Sequence, residues 1–392
     1  MSGTQPLVGV VNAGSSSVKF AMYEGDARLL SGQVEGIGVR PAMSAKDADG
    51  RGLPGFDLTR TPPATPADAL LLLMPWLRDR LGGRQIAVLG HRVVHGGPDH
   101  TRPERVTRAL LQDLAKLEPL APLHQPHNLA PIRATLDRNP GLPQVACYDT
   151  AFHHSIPPVA QAFAIPHEFT ERGIRRYGFH GLSYEYIAAR LPDLAPEIAD
   201  GRVVVAHLGN GASLCALEAG RSIATTMGFS TLDGLPMGTR CGELDPAVVL
   251  HLMREEGLTP AQVEALLYRR SGMLGLSGVS SDFRDLLAST EPRARFALDV
   301  FVYRTLRNIA SLAAALGGID GLVFTAGVGE NAAPIRAAIC QGCEWLGLEF
   351  DTDANDAAAS RISRPGSRVA AHVIPTDENL MIARHSRAVI AA

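Results

Sequence analysis

Asn12-Ala-Gly-Ser-Ser-Ser-Val-Lys19 gathers one glycine, three hydroxyls and a lysine within eight residues. Gly14 lets backbone approach an anion closely, and Ser15, Ser16 and Ser17 offer O–H donors beside exposed backbone N–H groups. Lys19 is one of three lysines, with Lys46 and Lys116, in a chain that otherwise uses arginine. The set suits a phosphate; a solvated serine-rich turn is the plainer alternative. His207-Leu-Gly-Asn-Gly-Ala-Ser213 repeats the chemistry with two glycines, an amide and a hydroxyl. A third glycine turn, Val323-Phe-Thr-Ala-Gly-Val-Gly-Glu-Asn331, formally reads G-x-G-x-x-A, with Glu349, at the end of the next short strand, where a ribose-binding acid would stand. That fingerprint normally opens a nucleotide domain early. Here it comes late and leaves the other two turns unexplained, so an adenosine-binding turn fits better than a dinucleotide site. No G-x-x-x-x-G-K-[ST] occurs, and His91-Arg-Val93 is not a protein-kinase catalytic loop.

Phosphoryl transfer needs positive charge on the equatorial oxygens, a metal held by oxygen ligands and aligned reactants. Arg92 lies in Gly90-His-Arg-Val-Val-His-Gly-Gly97, at a strand end before a glycine turn, and Arg240 lies on the glycine-flanked loop Asp233–Pro246. Loop arginines are commonly just solvated; these two sit among glycines and apolar residues. Asp149 ends a buried strand and Glu378 follows another, and both suit Mg²⁺, which takes one or two carboxylates plus phosphates and water. His180, in Tyr177-Gly-Phe-His-Gly181, is a candidate donor to developing charge, with His124 and His207 in similar loops.

These groups must be positioned by a folded frame. The length of 392 residues accommodates two or three domains. A net charge of −3 disfavours a general nucleic-acid binder. The longest apolar stretch, Ala69–Met74, falls far short of the roughly 20 residues of a membrane span. No cationic leader precedes an apolar run, so a cytoplasmic protein is expected. Cys340-Gln-Gly-Cys343 lacks a second ligand pair for zinc and reads as helix packing. Leu7–Asn12 and Val18–Glu24 read as a hairpin, Arg28–Val34 as a third strand and Pro41–Pro66 as surface loop. Thr65-Pro66, Asp245-Pro246 and Thr259-Pro260 each open a helix; Thr107–Lys116 is another. Pro292–Leu316, closed by Gly317-Gly318, reads as a long helix buried in a core or at a subunit interface. Val203–Leu208 and Leu214–Glu218 flank the second glycine tip and echo the first hairpin almost half a chain later. This suggests a duplicated α/β fold with a ligand between halves, although hairpins are common enough to recur by chance.

Together the motifs resemble the acetate kinase family of short-chain acyl kinases, in the superfamily of sugar kinases, heat-shock ATPases and actin. The resemblance runs through Val10–Lys19, His91–Gly97, Leu120–His124, Asp149–His153, Arg176–Gly181, His207–Ser213, Met237–Arg240, Phe324–Asn331 and Ile374–Glu378. It implies a duplicated ribonuclease H-like (actin-like ATPase) fold with two lobes and a central nucleotide cleft. The first lobe would span 1–150, completed by about 380–392, and the second, nucleotide-binding and dimerisation lobe 151–379. It implies reversible, Mg²⁺-dependent, in-line transfer from ATP to acetate, with Mn²⁺ able to replace Mg²⁺, by a cytoplasmic homodimer. By the same resemblance Arg92, Arg240, Asp149 and His180 are catalytic, and Asn12 and Glu378 organise the metal. The nucleotide would be met by Lys19, His207, Leu208, Gly209, Asn210, Gly211, Asp282, Phe283, Arg284, Gly327, Val328, Gly329, Glu330 and Asn331.

Arg92, Val94, Leu123, Phe179 and Thr231 would line the acyl pocket. Thr231 stands where the family has proline, which frees an N–H and adds a hydroxyl to an apolar wall. Asn379 stands where the family often has a second acid. Propionate is therefore an alternative acceptor, and butyrate or pyrophosphate chemistry keeps the same fold. A non-catalytic nucleotide switch would keep the phosphate hairpins but have no use for two loop arginines and an apolar pocket.

Overall fold

The computed structural model describes residues 6–58 and 60–392. They divide into two compact units, Met1–Ala151 with Asp377–Ala392, and Phe152–Thr376. The return to the first unit comes at Asp377 because the whole helix Glu378–Ala391 packs on that unit's sheet, so Glu378 belongs with it.

In the first unit, β1 (Leu7–Ala13), β2 (Ser17–Glu24), β3 (Ala27–Glu35), β4 (Ala42–Asp47), β5 (Ile86–Val93), β6 (Glu104–Arg105) and β7 (Gln144–Tyr148) form one sheet in the order β4-β3-β2-β1-β5-β7-β6. β1 is antiparallel to β2 and parallel to β5, and β5 is parallel to β7. The central strands are buried on both faces, which their Val- and Leu-rich runs require. Helix Pro66–Arg80 sets Leu70, Leu73 and Leu77 against Phe20 and Met22. Elsewhere Leu111, Leu114, Leu129 and Ile132 pack on Val93, Ala146 and Tyr148. Gly90 admits the C-terminal helix, since a Cβ there would strike Ser386 and Ile382.

In the second unit, β8 (Arg202–Leu208), β9 (Ala212–Glu218), β10 (Arg221–Thr225), β11 (Gly321–Thr325) and β12 (Ala370–Val373) run in the order β10-β9-β8-β11-β12. β8 pairs antiparallel with β9 and parallel with β11, which is parallel to β12. Substituting β3-β2-β1-β5-β7 gives the same order and the same strand senses. The fold is a duplicated, ribonuclease H-like α/β arrangement, and the repeated hairpins are its two opening strand pairs.

Local signals account for the helix starts. Thr65 caps Pro66–Arg80 through a reciprocal box with Asp68. Asp245 and Thr259 cap helices Pro246–Arg254 and Pro260–Arg269, each with proline in its first turn. Helix Pro292–Leu316 ends at Gly317, in the left-handed region at φ 69°. It is not buried all round: Ala297, Phe301, Ile309 and Leu312 are buried, while Phe296 and Tyr303 are 57% and 61% exposed.

Three expectations need correction. Pro41–Pro66 contains β4, which pairs antiparallel with the preceding strand β3, a pairing that its Pro- and Gly-rich surroundings conceal. Glu349 ends no strand; it lies in a loop before an isolated bridge at Phe350. His207 lies within β8, not in a loop.

Candidate functional site: two groups of charged residues and a nucleotide-sized cavity

In the first unit β1, β5 and β7 run in parallel and deliver their C-terminal ends side by side. Arg92 sits near the end of β5 and Asp149 one residue past β7, where the Asp149 N–H donates to the Val93 carbonyl at 3.0 Å. The guanidinium forks onto the carboxylate: Nε donates to Oδ1 at 3.0 Å and Nη2 to Oδ2. The Arg92 Nη1 donates to Asn12 Oδ1 at 3.5 Å. Asp149 is 1% exposed, so the pair is a desolvated, directional contact rather than a screened surface bridge. Burial opposes the Arg92 charge, but Asp149 and Glu378 outweigh it and raise its pKa. Both Asp149 oxygens thus accept from Arg92, which anchors the guanidinium at the end of β5.

Two residues that sequence reasoning did not single out hold this region. Asn128 accepts from the Val94 N–H at 2.9 Å and donates to the Ala13 carbonyl at 2.6 Å, tying the β1 hairpin to the loop after Arg92. Gln125 accepts from the His95 N–H at 3.2 Å and donates to its carbonyl at 3.0 Å. Both are buried polar side chains spent on backbone groups, and nothing in their local sequence reveals such distant partners. Val94 is buried and Leu123 half-buried. Lys19 is exposed on β2, in register with Asn12 on β1.

The second unit brings together His180, His207, Arg240 and the tip of the β8–β9 hairpin. His180 has φ 59°, a left-handed backbone uncommon outside glycine, and precedes helix Gly181–Leu194. Its ring stacks on His207 with centroids 4.2 Å apart and planes 19° apart. A Cβ on Gly211 would stand 2.7 Å from Arg240 Nη2 and 3.2 Å from His180 Nε2, so the bare glycine is what admits both groups to the tip. Arg240 is braced by donation from Nη1 to the Thr231 carbonyl at 2.6 Å. Thr231 is 8% exposed and Phe179 1%. The Phe179 carbonyl meets His153 Nε2 at 2.9 Å.

Beside this tip lies a cavity of about 740 Å³, lined by Gly209, Asn210, Asp282, Phe283, Arg284, Gly327, Val328 and Asn331 with Ser281, Leu287 and Ala332. That volume suits a small organic ligand, and the lining mixes an apolar floor with a few polar groups. Gly327 is open to solvent space, since an added Cβ there would meet nothing within 4 Å. Phe283 is held edge-on by Phe301, at 4.7 Å between centroids. Asp282 and Arg284 pair at 2.6 Å, and hydrogen bonding from Arg284 draws the Asp282 carboxyl down to about 2.

Other expected nucleotide residues stand apart from the cavity lining. Leu208 is fully buried, so only its backbone is available. Glu330 Oε1 accepts from the Ala326 N–H at 2.9 Å and the Thr376 N–H at 3.2 Å, which fixes the turn after β11. Ala326 there has φ 64°, a strained backbone that those contacts hold.

As for a metal, Asn12 and Glu378 supply only oxygen donors, the type Mg²⁺ prefers, and such a site draws its remaining ligands from phosphate and water. No group of three or more His, Cys, Asp or Glu side chains able to hold a metal occurs among the described residues. Cys340 and Cys343 are buried, and burial pushes the Cys343 thiol up to about 12. No helix among the described residues is long and apolar enough to cross a membrane.

Comparison with known proteins agrees with this geometry. A Rhodopseudomonas palustris protein named acetate kinase is 53% identical over 385 residues, covering 96% of each chain. The crystal structure of Porphyromonas gingivalis acetate kinase matches with TM-score 0.88 and 36% identity, over 98% of this chain and 100% of that one. A propionate kinase from Francisella tularensis matches with TM-score 0.92 and 34% identity, over the same shares. The model of the acetokinase family matches residues 7–384, and the chain belongs to that family.

Proposed function

We propose that the chain transfers the γ-phosphoryl group of ATP reversibly to the carboxylate of acetate, giving acetyl phosphate and ADP by direct in-line attack. The observation that carries this reading is the Gly209–Gly211 tip, which borders the 740 Å³ cavity and also admits Arg240 and His180. A nucleotide in that cavity would present its phosphates to a guanidinium and an imidazole. The names of the relatives support acetate as the acceptor.

A carboxylate is already a competent nucleophile, so no side chain is asked to act as a general base. Positioning and charge stabilisation do the chemistry, each worth several kcal/mol. Arg240 and His180 Nε2 donate to the equatorial oxygens of the moving group. Arg92, held by Asp149, orients the acceptor carboxylate beside Val94 and Leu123. Asn12 and Glu378 would hold Mg²⁺, which when bound neutralises charge on the nucleotide phosphates; Mn²⁺ shares the octahedral oxygen chemistry. Lys19 and the serines of the first hairpin add donors for phosphate. A cytoplasmic homodimer is the setting implied, and the exposed Phe296 and Tyr303 of helix Pro292–Leu316 supply apolar surface for a subunit contact.

A hydroxamate assay with ATP and Mg²⁺ tests the reading. Acetate should give acyl phosphate, and no product from acetate, propionate or butyrate would overturn it. Propionate is the second reading, favoured by Thr231 in place of proline and by the match to a propionate kinase. One methylene is worth only about 1–3 kcal/mol of discrimination, so both acids should react.

A further inference from the structure

The stacked pair His180 and His207 is held from behind by two different hydroxyl chains. His180 Nδ1 lies 2.8 Å from Ser213 Oγ, and Ser213 Oγ lies 2.5 Å from the Tyr184 phenol oxygen. His207 Nδ1 lies 2.8 Å from Ser183 Oγ, which donates to Thr376 Oγ1 at 2.9 Å. In each chain the direction of the protons follows from counting donors.

Tyr184 is 0% exposed, and among the described residues its hydroxyl has one hydrogen-bond partner, Ser213. A buried O–H left without an acceptor costs about 1–3 kcal/mol, so Tyr184 donates to Ser213. Burial holds the Tyr184 pKa well above its usual value, so that proton is always present. Ser213 is also 0% exposed, and its own hydrogen has one remaining acceptor, His180 Nδ1. An Nδ1 that accepts carries no proton, so the neutral ring is protonated at Nε2. The second chain runs the other way. Ser183 gives its hydrogen to Thr376, so it accepts from His207, which is protonated at Nδ1.

We propose that Tyr184 and Ser213 are positioning residues that hold His180 as its Nε2–H tautomer, so that a neutral imidazole donates to the moving phosphoryl group. The stacked His207 takes the opposite tautomer. The proposal rests on the phosphoryl-transfer reading above and deepens it. Neutrality follows from the same chain: protonating His180 at Nδ1 would leave two hydrogens facing one another at Ser213. The ionisable groups packed round the ring act in the same direction or are silent. Arg240 at the Gly211 tip repels a second cation, and the stacked His207 does so whenever it is charged. Tyr184 remains neutral. His180 therefore supplies a directional hydrogen bond and leaves the positive charge to Arg240. Its ring is delivered by a left-handed backbone and a fixed stack, so it needs no reorganisation as charge develops.

The test uses full-length protein with ¹⁵N-labelled histidine rings, His180 being assigned by loss of its signals in His180→Gln. Wild type at neutral pH should show a bare Nδ1 and a protonated Nε2 for His180, with the reverse pattern at His207. Ser213→Ala frees Nδ1, so His180 should then sample both tautomers. Turnover should fall about tenfold at pH 8, with KM for ATP changed less than threefold. As pH falls and the ring takes a second proton, Nε2–H is restored to every ring and the deficit should shrink. A merely structural defect would not be rescued by acid. Tyr184→Phe keeps the ring volume and should show a smaller deficit of about threefold with the same pH trend. A protonated Nδ1 in wild-type His180 would overturn the proposal, as would a Ser213→Ala deficit that does not shrink in acid. If Ser213→Ala fails to fold, the Tyr184→Phe profile and the wild-type ring spectrum still decide. The ring spectrum is read without turnover, so failure of the tautomer assignment is distinguishable from failure of the proposed reaction.

Discussion

The two units share a strand order but hold their arginines in opposite ways. Arg92 in the first is forked onto the buried carboxylate of Asp149. Arg240 in the second is braced by the neutral carbonyl of Thr231. A guanidinium paired with a carboxylate is locally neutral and rigid, suited to orienting an anion of modest charge. One whose Nη1 is fixed on a carbonyl, with Nη2 at the Gly211 tip, is placed on the proposed reading to meet a group that gains negative charge during transfer. On the proposed reading the same topology presents an orienting arginine at one sheet and a stabilising one at the other.

That contrast predicts different penalties. Arg240→Ala should lower kcat by about 10²–10³, the usual cost of deleting a donor to developing charge, and leave unfolding free energy within about 1 kcal/mol of wild type. Asp149→Ala should also lower turnover, and in addition should destabilise the protein by about 3 kcal/mol, because Arg92 loses the buried carboxylate it is forked onto. Steady-state kinetics and urea unfolding on the two variants measure both quantities. Equal stability losses would erase the distinction between the arginines. A Arg240→Ala enzyme within tenfold of wild type would remove Arg240 from the chemistry.

The first-order features of this contrast are local, which is why they were legible in sequence. The glycine tips at Gly14 and Gly209–Gly211 and the caps at Thr65, Asp245 and Thr259 declare themselves within a few residues. Their repetition pointed to the duplicated fold. What supports them is non-local. Asn128 reaches back to Ala13, Tyr184 meets Ser213 and Glu330 meets Thr376, and each is an ordinary polar residue until the chain is folded. β4 was hidden because an edge strand is defined by its partner more than by its own composition. Glu330 adds a structural task that its place in a nucleotide motif did not reveal: its Oε1 accepts from the Ala326 and Thr376 N–H groups.

Each unit also buries a histidine in neutral form, which allows a test of whether the two respond alike to acid. His91 on β5 and His153 before β8 both have pKa values lowered to about 4, by burial above all. Unfolded, each would titrate near 6.5. Between those values the unfolded state binds more protons, so stability is full above about 6.5, falls as pH drops and levels off near 4. Each histidine should contribute on the order of 3 kcal/mol to that loss. His91→Gln should flatten the acid limb for the first unit and His153→Gln for the second, read by thermal unfolding between pH 4 and 7. A limb unchanged in both variants would assign the acid sensitivity to carboxylates.

The smallest expected effect concerns Thr231, which braces Arg240 and is proposed to line the acyl pocket. Thr231 braces Arg240 through its carbonyl, which any side chain at this position retains, so its hydroxyl can be altered without disturbing the arginine. Thr231→Val keeps the shape and replaces the hydroxyl by a methyl, making the wall more apolar. The ratio of kcat/KM for propionate to that for acetate should rise, by less than the roughly tenfold that separates one methylene in a snug pocket, while kcat with acetate changes less than threefold. A fall in kcat comparable to that of Arg240→Ala would mean that the side chain, and not the carbonyl alone, holds the guanidinium. An unchanged ratio would place the acyl chain away from Thr231 and remove it from the proposed pocket.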